Sequence, residues 1–268
     1  VDIIKVKNLT ISISGNKILD GVSFDLRKGG ITALVGESGS GKTISALAML
    51  RLLPATAVIE NGRILFNDTD ILTLPEKDLR EIRGSRISMV FQEPFLSLNP
   101  VMKIGSQVEE AFVAHADISA KARKKKVLDL FSRLRLPRGI VNLYPHEISG
   151  GMRQRVLIAS AIAFNPEVLI LDEPTTALDV SVQKDILGEI KRIKEEKGLT
   201  VFFISHDFSV VNMMADNIAV MKNGKILEFG EKERVMKNPG NLYTKRLIEC
   251  IPRLGDIRDR LPEYKETT

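Results

Sequence analysis

The chain has 268 residues, 44% of them hydrophobic, which is enough to bury a sizeable core and lies near the upper length of one domain. Its net charge of +5 is compatible with nucleic acid, anionic lipid or a nucleotide and selects none of them. The single cysteine, Cys250, excludes an intrachain disulfide or cysteine cluster. There is no apolar run of about 18 residues and no basic-then-apolar leader pattern, so the expectation is a chain that stays in the cytosol without spanning a membrane.

In chain order, the first thirty residues alternate as half-buried strands do: Ile4, Val6, Leu9, Ile11 and Ile13, a turn at Gly15-Asn16, then Val22, Phe24 and Leu26. Asn61-Gly62, between Ala57-Val58-Ile59 and Ile64-Leu65-Phe66, predicts a second hairpin, and Asn223-Gly224 predicts a third. Four runs differ in being continuously apolar, over residues 31–35, 87–91, 168–171 and 200–204, the pattern of strands covered on both faces in a parallel sheet. Between Gln92 and Ser149 lies a stretch too long for a structureless loop, with helical patterns over 104–115 and 119–136 and Ser119 placed as an N-cap. The basic run 121–126 precedes Val127, Leu128, Phe131 and Leu134 at helical spacing and reads as the solvated face of that helix. A short helix over 242–251 and a charged tail end the sequence.

The polar residues that follow the four apolar runs carry the chemistry, because ligands of open α/β sheets bind at the carboxyl ends of the strands. The first run ends in Gly36-Glu37-Ser38-Gly39-Ser40-Gly41-Lys42-Thr43, the pattern G-x-x-x-x-G-K-[ST]. Its glycines let backbone N–H groups converge on phosphate oxygens, its lysine reaches the β and γ phosphates, and Thr43 offers a hydroxyl to Mg²⁺. A helix over 44–53 follows, adding a positive dipole end. The second run ends in Gln92, the third in Asp172-Glu173, and the fourth in Ser205-His206. Asp172 suits Mg²⁺, and Glu173 suits proton abstraction from an attacking water.

Ser149-Gly150-Gly151-Met152-Arg153-Gln154-Arg155, a serine and bare glycine N–H groups opening a helix over 152–164, resembles the signature segment of the ATP-binding-cassette (ABC) ATPases, with Ile148 and Met152 standing for the usual leucine and glutamine. The resemblance covers nearly the whole chain, with the motifs in family order. It implies an α/β fold: a P-loop NTPase core with a parallel sheet, a flanking antiparallel β layer and an inserted helical subdomain. As one domain over 1–268, the core would take 1–93 and 150–240, the helical subdomain 94–149, and the C-terminal helix and tail 241–268.

The resemblance also assigns roles. ATP would be bound by Gly36 through Thr43 of one chain and by Ser149, Gly150 and Gly151 of a facing one, with Asp179 of Ala177-Leu178-Asp179 at the interface. Mg²⁺ would be held by Thr43, Gln92 and Asp172, and catalysis would rest on Glu173, His206 and Gln92. Phe91-Gln92-Glu93-Pro94, Ser97-Leu98-Asn99-Pro100, Tyr144-Pro145-His146-Glu147 and the run from Thr175 to Gln183 are similar to the importers of oligopeptides, dipeptides and nickel, and Met152 resembles the first of their two ATPases.

The implied function is an ATPase driving peptide uptake, with a nickel or metal-chelate importer as the alternative within the family. Its partners would be two multi-span membrane permease subunits, a second ABC ATPase subunit or a second copy of itself, and indirectly an extracytoplasmic binding protein. The expected location is the cytoplasmic face of the cell membrane, with no nucleic acid bound.

Three departures from the family pattern stand out. Residues 10–17 hold no aromatic ring for adenine, with Ile13 in its place, which predicts modest adenine selectivity. No cysteine cluster follows Cys250, and Thr43 replaces the commoner serine while keeping the hydroxyl. The readings weighed against this one are an ABC ATPase acting on nucleic acid or ribosomes, a soluble P-loop kinase, which leaves Ser149-Gly150-Gly151 and His206 without a role, and a nucleotide-gated regulatory module.

Overall fold

The computed structural model describes residues 1–92, 97–115, 118–176 and 178–250. The chain forms two compact units: residues 1–70 with the chain from 203 onward, and residues 71–202.

In the first unit, strands β1 (Asp2–Ile13), β2 (Asn16–Arg27), β4 (Ala57–Phe66) and β5 (Thr69–Asp70) form an antiparallel sheet in the order β2-β1-β4-β5. The β1–β2 turn is Ser14-Gly15, with φ of +49° and +81°, the double positive φ that matches the twist of a two-residue hairpin. Ile4, Val6, Leu9, Ile11, Val22, Phe24 and Leu26 are buried, as their alternation predicts.

The hairpin expected at Asn61-Gly62 does not form. That dipeptide lies inside the continuous strand β4, where β1 carries one extra residue between the pairs Lys7–Arg63 and Thr10–Asn61. Gly62 has φ +109°, and a Cβ on it would stand 2.6 Å from the Leu9 Cα, so the glycine serves a close backbone approach at a bulge. The turn itself is Asn67-Asp68, with φ of +47° and +62° and no glycine.

The same unit carries strand β3 (Ile31–Val35), followed by helix α1 (Lys42–Met49), and, later in the chain, β9 (Asn217–Lys222) and β10 (Lys225–Glu231). With strand β8 (Thr200–Ser205), which the unit boundary crosses, the order is β10-β9-β3-β8. β3 runs parallel to β9, and β9 turns into β10 at Asn223-Gly224, φ +46° and +74°, as expected. Every residue of β3 and β8 is buried, which is why these segments read as unbroken apolar runs. Helices α7 (Phe208–Met214), α8 (Lys232–Lys237) and α9 (Leu242–Glu249) complete this unit. Phe208, Val211, Val235 and Tyr243 of these helices cover Ala33, Val35, Ile218 and Val220 of β3 and β9.

In the second unit the strand order is β8-β7-β6, with β6 (Ile87–Val90) parallel to the wholly buried β7 (Val168–Asp172). Helix α2 (Glu76–Ile82) precedes β6. Helices α3 (Ile104–His115) and α4 (Ala120–Arg133) form where the periodicity places them. Ser119 caps α4 by accepting a hydrogen bond from the Ala122 N–H, and α4 buries Val127, Leu130 and Phe131 while Lys121, Lys124, Lys125 and Lys126 face solvent. The rings of Phe112 and Phe164 meet at 5.4 Å. Helices α5 (Gly150–Ala161) and α6 (Val180–Lys197) flank β7 in the chain and are tied by the partly buried Arg155–Glu189 ion pair at 3.1 Å. No helix among the described residues is long and apolar enough to cross a membrane.

Candidate functional site

In the first unit, β3 delivers the chain into the glycine loop and α1 leaves it, beginning at Lys42 with Gly41 at φ +106° as its N-cap. The loop curls around its own lysine: Lys42 is 5% exposed, and its Nζ donates to the carbonyls of Gly36 and Glu37 at 2.8 Å each. Two glycines permit the curl. A Cβ on Gly36 would meet the Met221 carbonyl oxygen at 2.1 Å, and one on Gly41 the Leu19 Cδ2 at 2.6 Å, so the loop lies pressed against β9 and β2. The Gly224 N–H, at the β9–β10 turn, donates to the Ser40 carbonyl at 3.0 Å.

Glu37, Ser38 and Gly39 form the exposed crest of the loop, and the Glu37 carboxylate accepts a hydrogen bond from the Tyr243 hydroxyl at 2.9 Å. The Ser40 hydroxyl is buried and has no hydrogen-bond partner among the described residues, and Thr43 is half-buried on the first turn of α1. A buried ammonium, an orphaned hydroxyl and backbone open at Gly39 fit a polyphosphate. In the same unit His206 stands exposed where β8 ends. Next to it, Asp207 donates its N–H to the Ser205 Oγ at 3.0 Å and caps α7 by accepting from the Ser209 N–H at 2.8 Å.

In the second unit, Asp172 closes β7 and is 1% exposed. Glu173 follows with φ +46°, a left-handed conformation that a glutamate adopts only when its surroundings impose it, and one that collects at functional sites. Its Oε2 accepts from the Gln92 Nε2 at 3.2 Å and from the Thr176 Oγ1 at 3.0 Å. The structure thus brings Gln92, at the end of β6, onto Glu173, at the end of β7. The contact of Thr176 escaped sequence reasoning, because a threonine four residues after a strand carries no signal of its own.

Asp179 caps α6, accepting from the Val182 N–H at 3.0 Å and the Ser181 hydroxyl at 2.7 Å, and these bonds hold its carboxyl below the usual carboxylate range. Ala177, beside it, lies outside the described residues, as do Glu93 and Pro94 of the segment after Gln92. Ser149 caps α5 through the Met152 N–H at 3.3 Å, so that helix starts at Gly150. Gly151 also makes close packing possible, since a Cβ on it would stand 2.6 Å from the Val182 Cγ1, whereas one on Gly150 would make ordinary contact with the Leu178 Cδ2 at 3.5 Å. Arg153 Nε donates to the Pro145 carbonyl at 2.6 Å, anchoring α5 to the segment before the signature.

Residues 19–176 match the family model described as ABC transporter. The chain is 44% identical over 259 residues to the dipeptide transport ATP-binding protein DppD of Bacillus subtilis (strain 168), covering 94% of this chain and 77% of DppD. It is 43% identical over 259 residues to the oligopeptide transport ATP-binding protein OppD of the same organism, covering 94% and 72%. Its structure is similar to the dimeric post-hydrolysis ATP-binding cassette MJ0796 bound to ADP and Pi, with a TM-score of 0.76 and 28% identity, covering 85% of this chain and 98% of the cassette.

Proposed function

The chain belongs to the ABC transporter family and is an ATPase with the P-loop fold of that family's cassettes, and from that premise we propose that it is the ATP-hydrolysing subunit of a peptide importer. The observation that carries the hydrolytic role is Glu173 at the end of β7, with a left-handed backbone and a carboxylate held by Gln92 and Thr176. The peptide cargo is supported by the 44% and 43% identity to DppD and OppD, each named for dipeptide or oligopeptide transport. Those names do not favour the nickel alternative.

In this reading Gly36 through Thr43 bind the β and γ phosphates of ATP, with Lys42 supplying the positive charge. Thr43, Asp172 and Gln92 are the residues that would hold Mg²⁺, which when bound neutralises charge on the phosphate oxygens. Glu173 takes a proton from the attacking water, Gln92 and Thr176 hold that carboxylate in line, and His206 faces the γ phosphate. Ser149, Gly150 and Gly151 act on the nucleotide of a facing cassette, either a second copy or a second ABC ATPase, and Asp179 fixes the start of α6 beside that interface. The partners are membrane permease subunits, two in this reading, fed by an extracytoplasmic binding protein, with the ATPase on the cytoplasmic face of the membrane.

The test is recovery of the tagged chain from detergent-solubilised membranes, followed by reconstitution. Co-purification of multi-span permeases, with ATP turnover stimulated by peptide-loaded binding protein and not by Ni²⁺, is the expected result. Recovery with ribosomes or DNA alone would overturn the transport role and leave the ATPase chemistry standing.

A further inference from the structure

The phosphate loop is held on its two flanks by packing that only glycine permits, but its crest is held differently. Glu37, Ser38 and Gly39 are exposed, and a Cβ on Gly39 would meet nothing within 4 Å. A side-chain bond onto this crest comes from α9, 206 residues away in sequence: the Tyr243 hydroxyl donates to the Glu37 Oε1 at 2.9 Å. The tyrosine is a rigid anchor. Its ring is 7% exposed, sits in the cluster with Val35, Phe208 and Val220, and carries the Lys222 ammonium 4.7 Å from its centroid. Helix α9 is itself fixed at its start, where the Asn241 side chain accepts from the Tyr243 N–H at 2.8 Å and the Glu228 carboxylate accepts from the N–H groups of Gly240 and Asn241.

Glu37 has two consequences for a loop that binds anions. Its carboxylate repels phosphate wherever it swings over the crest, and its backbone carbonyl accepts from the Lys42 ammonium at 2.8 Å. A bond that fixes the Glu37 side chain acts on both. We propose that Tyr243 is a positioning residue for nucleotide binding, holding the Glu37 carboxylate to one side of the phosphate loop and thereby fixing the carbonyl that orients Lys42. The proposal rests on the nucleotide-binding reading of the loop and adds the C-terminal helix to the machinery of that site.

Tyr243→Phe removes the hydroxyl and keeps the ring. Titration of the purified full chain with mant-ATP and Mg²⁺ should show affinity weakened about three- to tenfold, the scale of the net contribution of one hydrogen bond, with the thermal unfolding midpoint lowered by no more than about 2–4 °C. In the reconstituted transporter KM for ATP should rise by the same factor while kcat holds, because the loop binds ground and transition states alike. In a Glu37→Ala background the tyrosine substitution should have no further effect. In a Glu37→Gln background, which keeps an acceptor, it should still weaken binding.

Wild-type affinity in Tyr243→Phe, or a penalty that persists unchanged in the Glu37→Ala background, overturns the proposal. So does a loss of affinity accompanied by a fall in the unfolding midpoint of more than about 5 °C, beyond what one hydrogen bond accounts for. Lys42→Ala separates the two levels of the argument. Lost binding there with no effect of Tyr243→Phe sinks the positioning role alone, whereas unchanged binding in Lys42→Ala removes the nucleotide site and the positioning role with it.

Discussion

At the residue scale, Glu173 combines a left-handed backbone, φ +46°, with a carboxylate shared between an amide and a hydroxyl donor, and the proposed mechanism gives it the proton abstraction. Glu173→Gln keeps the size and the hydrogen-bonding pattern of the side chain but removes the base. Turnover should fall by about 10²–10⁴-fold, the usual contribution of a positioned base, while mant-ATP affinity stays within about twofold of wild type. Near-normal hydrolysis would take Glu173 out of that role. A second residue-level outcome concerns the base of the nucleotide. Residues 10–17 contain no aromatic ring and Ile13 is half-buried there. Without a stacking partner, which contributes about 1–3 kcal/mol per base, GTP should compete for the site within about tenfold of ATP. Discrimination of a hundredfold in a competition titration would contradict this.

At the scale of elements, identical chemistry has opposite consequences according to the pairing around it. Gly62, inside β4, has φ +109° and backbone of β1 where a Cβ would go, whereas Gly188, inside α6, has nothing within 4 Å of that position. Gly62→Ala should cost about 2–3 kcal/mol in urea unfolding, and Gly188→Ala should add about 0.5–1 kcal/mol. Equal effects would remove the bulge argument. The joint between α8 and α9 makes a pH prediction. Burial of Glu228 pushes its carboxyl up, but the N–H groups of Gly240 and Asn241, the Thr244 hydroxyl and Arg234 outweigh it and hold the group below its ordinary value of 4.5. A carboxyl depressed in the folded state contributes stability that is complete above 4.5 and is lost as pH falls through the folded value. Glu228→Gln should therefore flatten the acid side of a stability-against-pH curve, and an unchanged acid limb would count against it.

For the whole molecule, the signature segment has no local nucleotide role in the proposed mechanism; it acts on a facing cassette. ATP should accordingly hold the Glu173→Gln variant together with a second cassette, seen as co-elution in size-exclusion chromatography with ATP and its loss with ADP. Elution as a single cassette in both nucleotides, with every candidate partner present, would overturn the shared-site mechanism.

Much of the fold and of the candidate site is determined locally and is therefore legible in the residues themselves. The strands buried on both faces announce themselves as unbroken apolar runs at 31–35, 168–171 and 200–204, because water is excluded from every side-chain position. The glycine loop, the Ser119 and Ser149 caps and the Asn223-Gly224 turn follow from backbone sterics and hydrogen bonding within a few residues. Tertiary structure alone decided the rest. Asn61-Gly62 and Asn223-Gly224 are the same dipeptide, yet one bulges and the other turns, because strand β1 lies against the first and offers its backbone to the gap left by a missing Cβ. The Tyr243–Glu37 bond and the approach of Gln92 to Glu173 join residues 206 and 81 positions apart. No local pattern encodes such pairs, because what brings them together is the packing of helices and the ordering of strands around a common core.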